Sequence, residues 1–168
     1  MEILIIGFIL VGLMVYASTR IKRSAATAFD QETIETDEFS IQKPAGFLHN
    51  LNGDPAYIFE AYSKEFSSEN RKLRLGTANV TKIKGMSLDD GVRGMQGEGY
   101  ADQGSEVIDD ILYREMSTEG KPAEVTRFAK LAQANGALYK FVVSAAQESD
   151  GEQWIETFID SFRVKSSK

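Results

Sequence analysis

The chain of 168 residues contains no cysteine and a single histidine, His49. Without cysteine it has no disulfide bond, no thiolate nucleophile and no zinc site built from thiolates. His49 has no sequence partner that would suggest a metal site or a catalytic triad, and no GxSxG motif is present. We therefore expect His49 at a surface or capping position. We expect no cofactor and no enzymatic activity, because no other group of residues suggests catalysis.

Basic residues are too few to form a nucleic-acid-binding surface. Lys and Arg number 19 against 25 Asp and Glu, which gives a formal net charge of −6. An acidic chain without a basic stripe argues against nucleic acid as a partner. The same charge repels anionic lipid head groups, so we expect the folded domain to stand off from a membrane surface.

The sequence also lacks a phosphate-binding loop. Its glycine-rich segment, 91–99, fits neither the GxxxxGK[ST] pattern nor a GxGxxG pattern after a strand. Gly91, Gly94 and Gly97 instead recur at every third position of a predicted helix. We predict that they form a bare strip that packs closely on the sheet or on a partner helix, although each glycine costs about 0.5–1 kcal/mol relative to alanine. Contact with a ligand is the alternative interpretation.

What the sequence does contain is a long apolar run at its N-terminus. From Ile3 to Thr19 roughly 17 residues carry no charge, which is near the lower limit for a membrane-spanning helix. A buried core helix would need a polar face, and this run has none. A cleaved signal peptide is the alternative, but the positive segment that precedes the apolar part of signal peptides is missing. We predict a single-pass transmembrane anchor, with Ile3, Leu4, Phe8, Leu10, Leu13 and Tyr16 among its anchoring residues.

A basic cluster follows the apolar run, at Arg20, Lys22 and Arg23. Lysine and arginine close to a membrane span tend to remain on the cytoplasmic side. These charges predict a cell-membrane protein whose C-terminal domain lies in the cytoplasm, and an extracytoplasmic domain is the alternative.

The composition divides the chain into three segments. Residues 1–29 are predicted to form the anchor helix with its basic extension, residues 30–38 an acidic linker, and residues 39–168 a soluble domain. Within that domain, alternating or aromatic-rich runs predict strands. These strands cover 39–42, 57–62, 111–116 and 72–84, the last with a bulge near Gly76.

The C-terminal part of the domain has the clearest local signals. Val125–Leu131 and Leu138–Ala145 are alternating runs joined by Asn135-Gly136, a pair that suits a tight hairpin turn. Capping-box patterns predict one helix after Ser87 and another after Ser149. Since strands joined by short turns dominate, we expect an α+β domain with a largely antiparallel sheet covered by two helices.

This order of elements resembles the PsbP-like fold family. The matching segments are the opening strand with its P-x-G-F turn, 39–47, the helix start at 86–90, the turn at 120–123 and the closing segment 158–163. The family includes photosystem II extrinsic subunits and bacterial proteins of the DcrB and LpqN types. The resemblance implies a non-catalytic accessory or binding role, usually outside the cytoplasm, and it assigns no functional residue.

Two functions are therefore expected from the sequence. The first is a membrane-tethered interaction domain, an accessory or assembly subunit whose partners are the lipid bilayer and other subunits of a membrane complex. The second is a tethered domain that binds a small ligand or lipid in a cleft near its aromatic residues.

Overall fold

The computed structural model describes residues 2–51, 53–63, 65–68, 71–74, 76–118, 125–146 and 152–166. For residues 2–9, 23–26, 65–68, 71–74 and 152 only the backbone is described. In chain order the elements are α1 (Glu2–Thr27), β1 (Glu32–Glu35), β2 (Phe39–Lys43), β3 (Phe47–His49), β4 (Phe59–Ser63), β5 (Glu65–Ser68), β6 (Arg71–Arg74), β7 (Gly76–Lys84), α2 (Leu88–Gly97), β8 (Ala101–Ile108), β9 (Ile111–Ser117), β10 (Val125–Ala134), β11 (Ala137–Ala146), α3 (Glu152–Ser161) and β12 (Arg163–Val164).

The predicted anchor and its basic extension form one continuous helix, α1, which ends at Thr27. At about 1.5 Å per residue, its 26 residues make it by far the longest element in the described part of the chain. Within the described residues, no helix has both the length and the hydropathy that crossing a membrane requires.

A seven-stranded antiparallel sheet forms the centre of the domain, in the order β3-β4-β7-β11-β10-β9-β8. A smaller antiparallel sheet, β1-β2-β12, packs with α3 on one face of it, and α2 packs on the other. We call these the α3 face and the α2 face. The predicted α+β architecture with a largely antiparallel sheet is confirmed.

Residues 30–38, expected to be an acidic linker, instead contain strand β1. The reason is Ile34, which lies opposite Ile41 of β2 and is only 9% exposed. One buried isoleucine among acidic neighbours is a weak sequence signal, but the antiparallel pairing supplies the remaining stabilisation through backbone hydrogen bonds. The expectation of a linker is therefore corrected, because the folded domain begins close to the end of α1.

The strand expected over 72–84 is two strands with different partners. Strand β6 pairs with β5 in a separate two-stranded sheet, whereas β7 pairs with β4 and β11. Gly76, where a bulge was expected, begins β7. A Cβ atom there would lie 2.4 Å from Cη2 of Trp154, so the glycine allows the indole ring to approach the strand.

The predicted hairpin is confirmed. Asn135 and Gly136 have φ angles of 53° and 71°, as a two-residue type I′ turn between β10 and β11 requires. Asp109 and Asp110 form a second turn of this kind between β8 and β9, with φ angles of 50° and 63°.

Both predicted helices are confirmed. Ser87 caps α2 by accepting a hydrogen bond from the backbone N–H of Asp90 at 3.1 Å. Helix α3 buries Phe158 on Phe141 of the sheet, with the ring centroids 6.0 Å apart. The expected capping residue of α3, Ser149, lies outside the described residues.

Candidate functional site

The surface of α1 formed by residues 10–22, where its side chains are described, is largely apolar and uncovered. Every described side chain from Leu10 to Lys22 is exposed. Among the predicted anchor residues, Leu10, Leu13 and Tyr16 are 57%, 59% and 64% exposed. Of the predicted orientation charges, Arg20 and Lys22 are also exposed. The side chains of Ile3, Leu4, Phe8 and Arg23 lie outside the described part of the helix.

The chain enters the domain immediately after α1, at a buried lysine. Lys43 is 1% exposed, and its ammonium group donates hydrogen bonds to the backbone carbonyls of Ala28 at 3.2 Å, Asp30 at 2.5 Å and Phe47 at 2.9 Å. The N–H of Gly46 donates to the carbonyl of Phe29 at 2.7 Å. We call these contacts the α1 junction.

The α1 junction pairs groups that would otherwise lack partners. The carbonyl groups of Ala28 and Asp30 lie just beyond Thr27, the last residue of α1, and a cation near a helix C-terminus is favoured by the helix dipole. Conversely, a buried ammonium group needs acceptors. Burial lowers the pKa of Lys43 from its usual value, and the charges of Glu32 and Asp30 oppose that shift only in part. The junction thus holds the residues that follow α1 against the end of β2 and the turn between β2 and β3.

A second buried lysine lies nearer the opposite edge of the seven-stranded sheet, the edge formed by β8. Lys130 of β10 is completely buried on the α3 face, and its ammonium group contacts Glu106 of β8 at 2.5 Å and Glu115 of β9 at 3.3 Å. It also donates to the carbonyl of Ile159, near the C-terminus of α3, at 3.1 Å. Its nitrogen lies 5.2 Å from the centre of the Tyr113 ring. This cluster ties the edge of the sheet to α3.

Neither lysine was predicted to be buried, although the positions of both in the sequence held a signal. Phe39, Ile41 and Lys43 occupy alternate positions of β2 and are all buried. Lys130 alternates in the same way with Ala132 and the partly buried Phe128. A lysine that keeps the phase of an inward-facing strand pattern is a candidate buried cation, but its acceptors come from distant segments and are not visible in the sequence.

The predicted glycine strip does not lie on one packed face. A Cβ atom at Gly91 would lie 2.5 Å from Cδ2 of Leu138, whereas at Gly94 and Gly97 it would meet nothing within 4 Å. The reason is geometric. In a helix of 3.6 residues per turn, each glycine three positions further along is rotated by about 60° around the helix axis relative to the one before. Only Gly91 serves the close approach of α2 to the sheet, and Gly94 and Gly97 face outward.

His49 lies at the end of β3, half-buried, with its ring 5.1 Å from that of Phe59. Burial is the main reason that its pKa is lowered; Glu32 raises it and Lys43 lowers it further. A cleft of about 290 Å³ opens beside it, lined also by Asn50, Tyr57 and Glu60. The N–H₂ group of Asn50 donates to the Glu60 carboxylate at 2.7 Å, so these polar groups already bind each other.

Among the described residues, no group of three or more histidine, aspartate or glutamate side chains is arranged to hold a metal ion. Further clefts open at the surface of the described residues. One of about 530 Å³ lies between the start of α2 and the β10–β11 turn, and another of about 320 Å³ lies beside Trp154 and Pro44.

No protein-family model and no curated protein matches the chain. Solved structures do match it. The solution structure of cyanobacterial PsbP (CyanoP) from Synechocystis sp. PCC 6803 has a TM-score of 0.53 and 16% sequence identity, and the match covers 81% of this chain and 92% of that chain. A crystal structure from Bacteroides thetaiotaomicron VPI-5482 has a TM-score of 0.47 and 12% identity, with 77% and 46% covered. At such identities the similarity concerns the fold alone. The expected PsbP-like fold is therefore confirmed.

Proposed function

We propose that the chain is a single-pass membrane protein whose α+β domain is a non-catalytic interaction module, an accessory or assembly subunit of a membrane protein complex. One observation carries this proposal: the large apolar side chains that are described in α1 have no cover within the described chain. Those that are exposed are Leu10, Val11, Leu13, Met14, Val15, Tyr16 and Ile21, at 57–74%. Contiguous apolar surface of this kind marks contact with lipid or with another protein.

The sequence favours lipid, and not another protein, as the main contact of the apolar side chains of α1. The uncharged run Ile3–Thr19 approaches the length of the hydrocarbon core, and apolar side chains occur all around the helix rather than on one stripe. Arg20 and Lys22 follow at the point where a head-group region would begin. These charges favour a cytoplasmic domain, and the extracytoplasmic side remains the alternative.

The α1 junction supports an assembly role. Lys43 and Gly46 hold the three residues that follow the helix, Ala28, Phe29 and Asp30, against the small sheet. A domain joined in this way keeps a fixed orientation relative to its anchor, whereas a flexible linker would let it rotate. Fixed orientation suits a subunit that must present one surface to a neighbour in the same membrane.

Membrane extraction tests the anchor. Full-length protein in native membranes is expected to stay in the pellet after an alkaline carbonate wash. The double variant L10R/L13R is expected to move to the supernatant, because each arginine costs about 2.5–3.5 kcal/mol near the centre of a span. The matched control is Q96R/Q153R, at exposed positions of α2 and α3, which stays in the pellet. Release of the unmodified chain contradicts the proposal.

Two further measurements test on which side of the membrane the domain lies and whether the chain is part of a complex. In sealed inside-out vesicles, added protease is expected to digest a cytoplasmic domain without opening the membrane, and protection there reverses the orientation. In a mild detergent, the chain is expected to migrate in native electrophoresis with other polypeptides. Migration of the chain alone contradicts an accessory or assembly role.

Binding of a small ligand is the second candidate function. The cleft beside His49 favours it, since Tyr57, which is 37% exposed, offers aromatic surface there and Asn50 and Glu60 offer polar groups. Its volume of about 290 Å³ is at the lower limit of ligand pockets, and its polar groups are already paired. Titration with short-chain phospholipid, followed through the His49 ring resonances, is expected to leave them unchanged; saturable shifts would favour this function instead.

A further inference from the structure

Strand β8 is an open edge of the seven-stranded sheet. It is the last strand in the order, and within the described residues it pairs only with β9. Seven of its eight residues, 101–107, are exposed. The opposite edge, β3, has only three residues, Phe47–His49. A long edge strand presents unpaired backbone N–H and C=O groups, which are a template for another strand.

The hairpin geometry shows which backbone groups of β8 face outward. Ile108 lies opposite Ile111 across the two-residue turn at Asp109-Asp110. The two residues that flank such a turn form a hydrogen-bonded pair. Along the antiparallel ladder, hydrogen-bonded pairs then alternate with pairs that are not hydrogen-bonded to each other. Ile108 and Glu106 therefore direct their N–H and C=O groups toward β9. Ser105 and Val107 direct theirs to the open edge.

A bulge limits the usable part of the edge. The register shifts between Asp102 and Gly104, and Gly104 has a φ angle of 147°. Bulges interrupt regular pairing at exposed edges. From Gly104 to Ile108 the ladder is regular. A strand added here would therefore pair with about four or five residues.

The charge of this edge indicates what would bind it. Asp102, Glu106, Asp109 and Asp110 lie on β8 and its turn, and no lysine or arginine occurs between residues 101 and 113. Arg114 pairs with Asp102 and Lys130 with Glu106, which leaves the turn aspartates without such a partner among the ion pairs of the described residues. A second copy of the chain would bring like charges together, which disfavours self-association.

Apolar surface accompanies this charge. Val107 is 67% exposed and lies directly opposite Leu112, which is 44% exposed. Both side chains lie on the α2 face, where Leu112 also lines the cleft of about 530 Å³. A strand beside β8 would cover Val107 with the side chains that point to the same face.

We propose that β8 binds an extended segment of a partner protein by strand addition, and that this segment alternates basic with β-branched apolar residues. The inference rests on the proposed function and names the partner-binding surface of the same domain. Backbone hydrogen bonds to Ser105 and Val107 supply affinity, and lysine or arginine beside the acidic turn supplies specificity.

The test uses the full-length chain in detergent micelles and a capped octapeptide that alternates lysine with valine. Binding is expected to slow amide hydrogen exchange at Ser105 and Val107, with little change at Glu106, whose N–H already faces β9. The variant V107P removes the outward N–H, which an edge strand tolerates. We expect it to weaken binding at least tenfold. The control V107A keeps the N–H group and is expected to weaken binding at most threefold.

Two peptide controls complete the design. Replacing lysine by glutamate, or N-methylating the valines, is expected to abolish binding. Equal binding of the glutamate peptide, unchanged affinity of V107P, or no protection of Ser105 and Val107 overturns strand addition. Carbonate extraction and native migration are measured on V107P as well. If V107P stays in the membrane and in its complex, this inference fails while the proposed function survives; if the unmodified chain forms no complex, the proposed function itself fails.

Discussion

Lys43 and Lys130 are equally buried, at 1% and 0% exposure, yet they are held by different partners. Lys43 contacts three backbone carbonyls and no carboxylate at hydrogen-bond distance among the described residues, whereas Lys130 contacts two carboxylates and one carbonyl. A buried cation therefore serves two different purposes in this fold. At Lys43 it joins α1 to the domain, and at Lys130 it joins the open edge of the sheet to α3.

The largest expected effect is at Lys130. Replacing it by methionine in K130M leaves Glu106 and Glu115 facing each other and is expected to lower the free energy of unfolding by about 3 kcal/mol. Urea denaturation followed by near-UV circular dichroism measures the change. The triple variant K130M/E106Q/E115Q removes the uncompensated charge and is expected to recover about 1 kcal/mol or more. No recovery would show that packing, not charge, holds this cluster.

The corresponding change at the α1 junction is expected to be smaller. K43M leaves the carbonyls of Ala28, Asp30 and Phe47 without their donor, and the first two can turn toward water, so we expect a loss of about 2 kcal/mol. Amide exchange at Gly46 and residues 30–34 is expected to quicken more than in the sheet. The control K84M replaces an exposed lysine and is expected to change stability by less than about 0.5 kcal/mol. Exchange that quickens equally throughout the domain would contradict a local junction.

Helix α2 provides a comparison without a buried charge, because its approach to the sheet depends on a glycine and not on a lysine. G91A forces a methyl group into Leu138 and is expected to cost about 1–2 kcal/mol. G94A meets open space and is expected to gain about 0.5–1 kcal/mol from helix propensity. Thermal unfolding of the two variants gives the comparison. The same sign for both would show that α2 does not pack as described.

Acidification is expected to have the smallest effect, and it acts beside the α1 junction. Because the pKa of His49 is lowered in the folded state, the unfolded chain binds a proton more readily below about pH 6.5. The contribution of neutral His49 to the free energy of unfolding is therefore fully present at pH 7.5. It decreases as the pH falls toward the pKa of His49 in the folded state. H49F keeps a ring against Phe59 and is expected to show a shallower decrease between pH 7.5 and 5.5. Equal slopes would contradict the burial of His49.

The fold was predictable where one local signal sufficed. Asn135-Gly136 predicted the hairpin, and the capping-box pattern that begins at Ser149 predicted α3. Strand β8 was missed because it is an exposed edge, and ADQGSEVI has no regular alternation of apolar residues. Strand β1 was missed because its single apolar residue becomes informative only opposite Ile41. Lys43 and Lys130 were missed because their acceptors are supplied by tertiary contacts.

Whether α1 lies in the bilayer can be measured directly, because the chain contains no cysteine and a single one can be introduced for labelling. A spin label at L13C, in full-length protein reconstituted into phospholipid vesicles, is expected to collide often with oxygen and rarely with a water-soluble nickel complex. A label at S105C on β8 is expected to show the opposite preference. If the label at L13C meets the nickel complex as readily as the label at S105C, α1 does not lie in the membrane.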